Sequence, residues 1–303
     1  ASDPGSLTKP MGMDIDDEGN IYVMDATKKK VLIYDNEGKY IRSVGEQKYF
    51  NRPSSVAVNP DGSLIFAIDT GSSRGKPEDH RIQVFDGATG KFLRTIGSRG
   101  NTDGKFNLMR DADIGPDGLL YILDSGNFRV QVMDQNGKFI RKFGDVGRRT
   151  GQFARPKGIA VGPNGLVYVT DSSHANFQIF NPEGELMMFI GSRGKSKDRA
   201  RYLLPSMIDV DEDGRVYVVD QGHRKVDIFR PVRIESNEGS LGIAFEALKK
   251  MIPEDKEERE AREAKEAIAA QKAKDAKMAR LAREAKEAKE AEKAKAAEKN
   301  SNK

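Results

Sequence analysis

The chain has 303 residues, with three histidines and no cysteine, so metal or acid–base chemistry would have to run through imidazoles and carboxylates. His174 and His223 each stand three residues after an aspartate, Asp171 and Asp220, and His80 ends the stretch "TGSSRGKPEDH". Zinc would need their nitrogens to converge to about 2.0–2.1 Å. They lie in separate repeats of the sequence, however, and Asn127 fills the same place in another copy, which predicts a loop-capping role instead. A second ligand set, Asp209, Asp211 and Asp213 before Gly214, reproduces the first half of a calcium loop. An EF-hand would require flanking helices and an acid able to fold back, but its twelfth position, Asp220, ends an apolar run. As a calcium-binding hairpin of the form D-x-D-x-D-G-x-x-D it has Tyr217 in place of the last ligand. The weaker copy from Asp14 has Tyr22 there. Acidic turns of this type also form without metal.

The third set is cationic. Arg74, Lys76, Arg99, Arg148, Arg149, Arg193, Lys195, Lys197, Arg199 and Arg201 crowd into glycine-containing connections such as "GSRG" and "GRRTG", diluted by Asp103, Asp145 and Asp198. Such a surface suits an acidic protein partner. RNA would suit it too, but single-strand recognition also asks for exposed aromatic rings, and Tyr202 is the one candidate. The net charge of +4 does not by itself announce a nucleic-acid or membrane partner. No apolar run approaches the ~18 residues of a membrane span.

What must position these groups is a repeat. "GMDIDDEGNIYVMD", "DADIGPDGLLYILD", "GIAVGPNGLVYVTD" and "MIDVDEDGRVYVVD" are near-copies, and "SVAVNPDGSLIFAID" is a fifth with one added residue. Each reads as strand, tight turn and a second, more buried strand. "RVQVMDQNGKFIRKFG" and its relatives supply a third and fourth. Blade-like units therefore start at Pro10, Pro53, Met109, Pro156 and Pro205, a spacing close to that of propeller blades. A lone four-stranded meander leaves both faces wet, whereas radial stacking buries them. The expectation is an all-β propeller of four-stranded antiparallel blades, five of them recognisable. The fifth breaks off without a clear fourth strand. Asp25, Asp69, Asp124, Asp171 and Asp220 close the second strand of every unit, and a residue present in every blade reads as architecture. A basic partner across the connection, such as Arg129, Lys30 or Lys225, is the expected tie.

The pattern P-x-G-I-A-V, G-x-hydrophobic-Y-V-x-D, R-V-Q-V and G-K-F-hydrophobic-R-x-F-G resembles NHL repeats, over about residues 7–232. It is most similar to bacterial envelope NHL propellers associated with c-type cytochromes. That resemblance implies a non-enzymatic scaffold of the cell envelope, periplasmic or extracellular, which docks a multihaem cytochrome or its assembly. A start at Ala1 fits a leader already removed. Nothing in the motifs asks for a cofactor. The alternatives from other classes are a metal-dependent lyase or hydrolase with its site on the axis, and an RNA-binding NHL domain. Such propellers usually have six blades; a sixth is either absent here or assembled from residues 1–9 and 233–252. Residues 1–232 are thus the expected propeller. Residues 233–253 form a linker with a short amphipathic helix, set by the apolar spacing from Leu241 to Ile252. Residues 254–303 hold 15 Lys+Arg, 13 Asp+Glu and no aromatic residue, and their Ala-rich periodicity predicts a solvated helical tail.

Overall fold

The structure, a computed structural model, is described for residues 3–71, 76, 78–196 and 198–230. Alternating apolar strands separated by Asp/Asn-x-x-Gly turns form five consecutive antiparallel meanders. Blade 1 is β1 (Pro10–Ile15), β2 (Ile21–Asp25), β3 (Lys30–Tyr34) and β4 (Tyr40–Val44); blade 2 is β5 (Pro53–Val58), β6 (Leu64–Asp69), β7 (Arg81–Asp86) and β8 (Phe92–Ile96). Blade 3 is β9 (Asp111–Ile114), β10 (Leu120–Asp124), β11 (Arg129–Met133) and β12 (Phe139–Phe143). Blade 4 is β13 (Pro156–Val161), β14 (Val167–Asp171), β15 (Asn176–Phe180) and β16 (Leu186–Ile190). A small parallel pair, β17 (Ser192–Arg193) and β18 (Arg201–Tyr202), leads into blade 5, β19 (Pro205–Val210), β20 (Val216–Asp220) and β21 (Lys225–Phe229).

The core lies between blades, as radial packing requires. Among the described residues there are four apolar clusters, one at each junction from blade 1 to blade 5. Each is plugged by an aromatic residue from the connection between blades: Phe50, Phe106, Phe153 or Tyr202. Tyr202 is wholly buried, with Lys225 Nζ 5.3 Å from its ring centre, so it cannot stack on an external base. The first strands β1, β5, β9, β13 and β19 pack against their neighbours from blade to blade and line the axis.

The ring has a seam. Blade 5 has three strands among the described residues, so the outer edge of β21 is unpaired there. Val226 and Ile228 on β21 are 54% and 56% exposed, and Met13 and Ile15 on β1 are 53% and 50% exposed. Five blades are present, and residues 233–252, offered above for a sixth, lie outside the described residues. So do the amphipathic and Ala-rich segments and the cations Arg74 and Lys197. The chain divides into compact units at Ala1–Pro231 and Val232–Lys303.

Candidate docking face and the residues that position it

Each of the five repeated aspartates is buried at the end of its second strand. In four of them the carboxylate gathers backbone N–H groups from two connections at once. Asp171 accepts from Ala154 and Arg155 (2.7 and 2.9 Å), ahead of β13, and from Ser173 and His174 (2.8 and 3.1 Å), after β14. Asp25 does the same with Thr8, Lys9, Thr27 and Lys28. Asp220 takes Leu203, Leu204, Gly222 and His223. Asp69 takes Asn51, Arg52 and Gly71, and Asp124 takes Asn107. Burial pushes the carboxyls of Asp25 and Asp220 up, but the combined N–H groups more than offset it and hold both below the usual carboxylate range. Asp124 has fewer such donors, and there burial wins and raises it.

The expected cationic tie is therefore the minor part of the arrangement. Arg129 Nε donates to Asp124 at 2.9 Å, and Arg81 approaches Asp69 at 3.5 Å without hydrogen-bond alignment. Lys225 turns to Asp227 instead, at 2.9 Å. A short carboxylate reaches backbone amides more directly than a long cation reaches it.

The same loops hold a backbone strain that the sequence did not reveal. The residue ahead of each third strand is left-handed and not glycine: Lys29, His80, Phe128, Ala175 and Arg224, with φ between 52° and 58°. Such a conformation costs about 1–2 kcal/mol per residue and persists only where its surroundings over-determine it.

The glutamine of "RVQV" is a second clamp that sequence reading missed. Gln131 donates to Lys105 O (2.8 Å) and accepts from Gly104 N (3.0 Å); Gln178 repeats this with Gln152 O and Gly151 N. Gln83 donates to Tyr49 O at 2.8 Å. The signal was available, because a buried strand position holding an amide in three repeats needs a partner. Replacing Gln131 by leucine is expected to cost about 2 kcal/mol, by leaving Gly104 N without its acceptor and Lys105 O with Arg129 Nη2 as its remaining donor. Urea unfolding monitored by circular dichroism checks it, and an unchanged midpoint would remove the clamp.

The histidines are not brought together. Leu108 N donates to His80 Nδ1 at 3.1 Å, His174 Nε2 sits 3.2 Å from Gly147 O, and His223 Nδ1 lies 2.9 Å from Asp220 Oδ2. Each serves its own loop. Asp211 and Asp213 pair with Arg215 at 3.0 and 2.6 Å on the opposite end of blade 5. Tyr217, the residue that broke the calcium pattern, donates to Asp211 at 2.9 Å; Tyr22 does so to Asp16 and Tyr121 to Asp117, both also at 2.9 Å. Hydroxyl and guanidinium groups thus occupy the oxygens that calcium would need. Asp209 lies apart from both, on the axis. Among the described residues no three histidine or carboxylate side chains are grouped so that they could hold a metal ion.

The connections stapled by the aspartates form one face of the propeller. On it Lys76, Arg99, Arg148, Arg149, Arg193, Lys195, Arg199 and Arg201 are all exposed. Parallel bridges from Arg99 to Phe106, Val146 to Phe153 and Arg193 to Tyr202 tie these loops to the buried aromatic plugs. The loops that display the cations are therefore anchored to the core. Arg201 bonds the Ser192 hydroxyl and Lys76 approaches Glu78 at 3.9 Å. The other six have no ion pair among the described residues.

Below this face the axis holds a cavity of about 320 Å³ with apolar walls (Met11, Met13, Ile159, Ile208) and four carboxylates, Asp14, Asp111, Asp113 and Asp209. Three of these staple one blade to another. Asp14 accepts from Val58 N (2.7 Å), Asp113 from Val161 N (2.6 Å), and Asp111 from Ser55 Oγ and Ile159 N (2.7 and 3.1 Å). Among the described residues Asp209 has its neighbour Val210 N as its one hydrogen-bond donor.

Blades 2, 3 and 4 each combine a stapling aspartate, a clamping glutamine and a buried aromatic plug, and over residues 153–180, in blade 4, the chain matches the NHL repeat family. The fourth blade carries an NHL repeat. Among solved structures the chain is similar to a structural-genomics protein of unknown function from Bacteroides thetaiotaomicron. The identity is 18% and the TM-score 0.53, over 73% of this chain and 54% of that one, so about half of that protein is spanned. It is also similar to virginiamycin B lyase from Staphylococcus aureus, with 12% identity and a TM-score of 0.51 over 75% of this chain and 71% of that one. At these identities the likeness is one of fold. No curated protein matches. The chain is thus a five-bladed propeller with an NHL repeat in its fourth blade, and no helix among its described residues is long and apolar enough to cross a membrane.

Proposed function

We propose that this chain is a non-enzymatic docking propeller whose stapled upper face binds an acidic protein surface. The observation that carries this reading is the belt of cations on loops anchored to the core, six of which have no ion pair among the described residues. Exposed charges held in register lose little entropy on meeting a complementary surface and steer its approach. An RNA partner is disfavoured because the one aromatic candidate, Tyr202, is interior. The resemblance to envelope NHL propellers carries the proposal further, to a multihaem c-type cytochrome or its assembly as partner, in the periplasm or outside the cell.

The test compares the full chain with a variant carrying Arg148→Glu, Arg149→Glu, Arg193→Glu and Arg199→Glu in affinity capture from its native cell. A protein partner retained by the parent at low salt and lost with the variant is the expected result. Equal recovery by both, or capture of nucleic acid alone, overturns the reading.

A further inference from the structure

Inside the belt lies a second set of cations that the docking proposal does not use. Lys9, Arg52 and Arg155 stand immediately before β1, β5 and β13; Arg110 stands immediately before β9, and Lys157 is the second residue of β13. Because those strands line the axis, the five side chains start from its upper mouth. Their backbones are fixed. Lys9, Arg52 and Arg155 donate N–H to Asp25, Asp69 and Asp171 at 3.0, 2.7 and 2.9 Å. Their carbonyls accept from Ala26, Thr70 and Ser172, and Arg110 N donates to Leu123 O at 3.1 Å. The repeated aspartate thus both builds the blade and aims a cation.

The side chains themselves are unpaired within the protein: among the described residues none of the five donates a hydrogen bond or makes an ion pair, and Lys9, Arg52, Arg110 and Arg155 are exposed while Lys157 is half-buried. They also repel one another. Burial, then the charges of Arg52 and Arg155, push the Arg110 guanidinium down from its usual value. Burial, then Arg110 and Arg155, do the same to Lys157, with Asp171 offsetting only part. Asp111 is next in sequence to Arg110, but its oxygens are committed to Ser55 and Ile159 on the neighbouring blades. The mouth is divided into two depressions. One, of about 90 Å³, is lined by Lys9, Arg52 and Arg110; the other, of about 220 Å³, by Arg110, Arg155 and Lys157. Arg110 is common to both.

We infer that this collar is a binding site for a small multivalent oxyanion, with one anionic group in each depression and Arg110 bridging them. Guanidinium forks match carboxylate and phosphate oxygens in pairs. Cations packed together without a counter-charge destabilise the empty protein, and a ligand bearing two anionic groups removes that penalty. The inference stands independently of the outer belt, since the collar would hold such an anion whether or not a protein docks above it.

Titration calorimetry and thermal melts of the full chain with inorganic pyrophosphate and with citrate, at low salt, test it. Binding of at least one probe at a single site, with a raised Tm, is expected. Pyrophosphate alone would mark a phosphate ligand and citrate alone a polycarboxylate. Arg110→Gln and Arg52→Gln should each weaken binding by about tenfold or more, while Lys39→Gln with Lys138→Gln on the opposite face should not. Without ligand, Arg110→Gln should melt higher than the parent, which also shows that it folds. Failure of both probes to bind, or undiminished binding by Arg110→Gln, overturns the inference.

Discussion

Replacing Asp171 by alanine is expected to lower the unfolding free energy by about 4 kcal/mol, and Tm by roughly 10 °C, without touching any reactive group. The side chain is wholly buried and accepts four backbone N–H groups, from Ala154, Arg155, Ser173 and His174. A buried donor left without an acceptor costs about 1–3 kcal/mol. Water reaching the outer amides brings the total below the plain sum. The loss extends beyond one loop, because the connection holding Phe153 is released with it and Phe153 plugs the junction of blades 3 and 4. Asp171→Asn keeps one acceptor but turns an NH₂ toward an N–H pair, so a smaller loss is expected. Thermal and urea melts by circular dichroism decide the matter. An alanine variant that melts with the parent would leave the aspartate without the role given to it here.

The second large effect is on pH. Asp14 is pushed up to about 7, first by burial and then by Asp209 and Asp111, against the N–H groups of Val58 and Ile15. Asp111 is pushed up to about 6, again first by burial. Both hold their proton more tightly in the fold than in the unfolded chain. Their contribution to stability is therefore full below the ordinary carboxylate value near 4, declines as pH climbs, and is gone above about 7. Each pH unit of separation between folded and unfolded values corresponds to about 1.4 kcal/mol. Tm should accordingly fall between about pH 4.5 and 7.5, by several degrees. Asp14→Asn retains an acceptor for Val58 N but cannot ionise, so it should flatten that slope and melt above the parent at neutral pH. A parent Tm that is level or rising across this range would contradict the account. Asp25 and Asp220 act oppositely: their lowered values add stability that is lost on acidification through and below about 4.

The blades were legible because their signals are local. Period-two alternation, Asp/Asn-x-x-Gly turns and a fixed repeat length follow from backbone geometry, and each recurs in register through Asp25, Asp69, Asp124, Asp171 and Asp220. The truncated fifth unit was legible for the same reason: among the described residues its sheet ends at β21. The partners of those aspartates were less legible. Opposite charge pointed to Lys30 and Lys225, but the carboxylates turn to amides 16 to 18 residues back along the chain. Sequence also exposed Tyr202, a residue that packing buries.

What the sequence determined by itself is the unit and its repetition, since a meander that cannot dry both faces must stack, and a residue found in every unit must serve the unit. It also placed the outer cations on one set of loops. Only the tertiary structure decided what converges at the centre. Lys9, Arg52, Arg110 and the pair Arg155 and Lys157 are separated by dozens of residues and look like ordinary charges, until the ring brings the starts of four first strands to one mouth. Charge convergence of that kind is a property of closure around an axis, and no local window contains it.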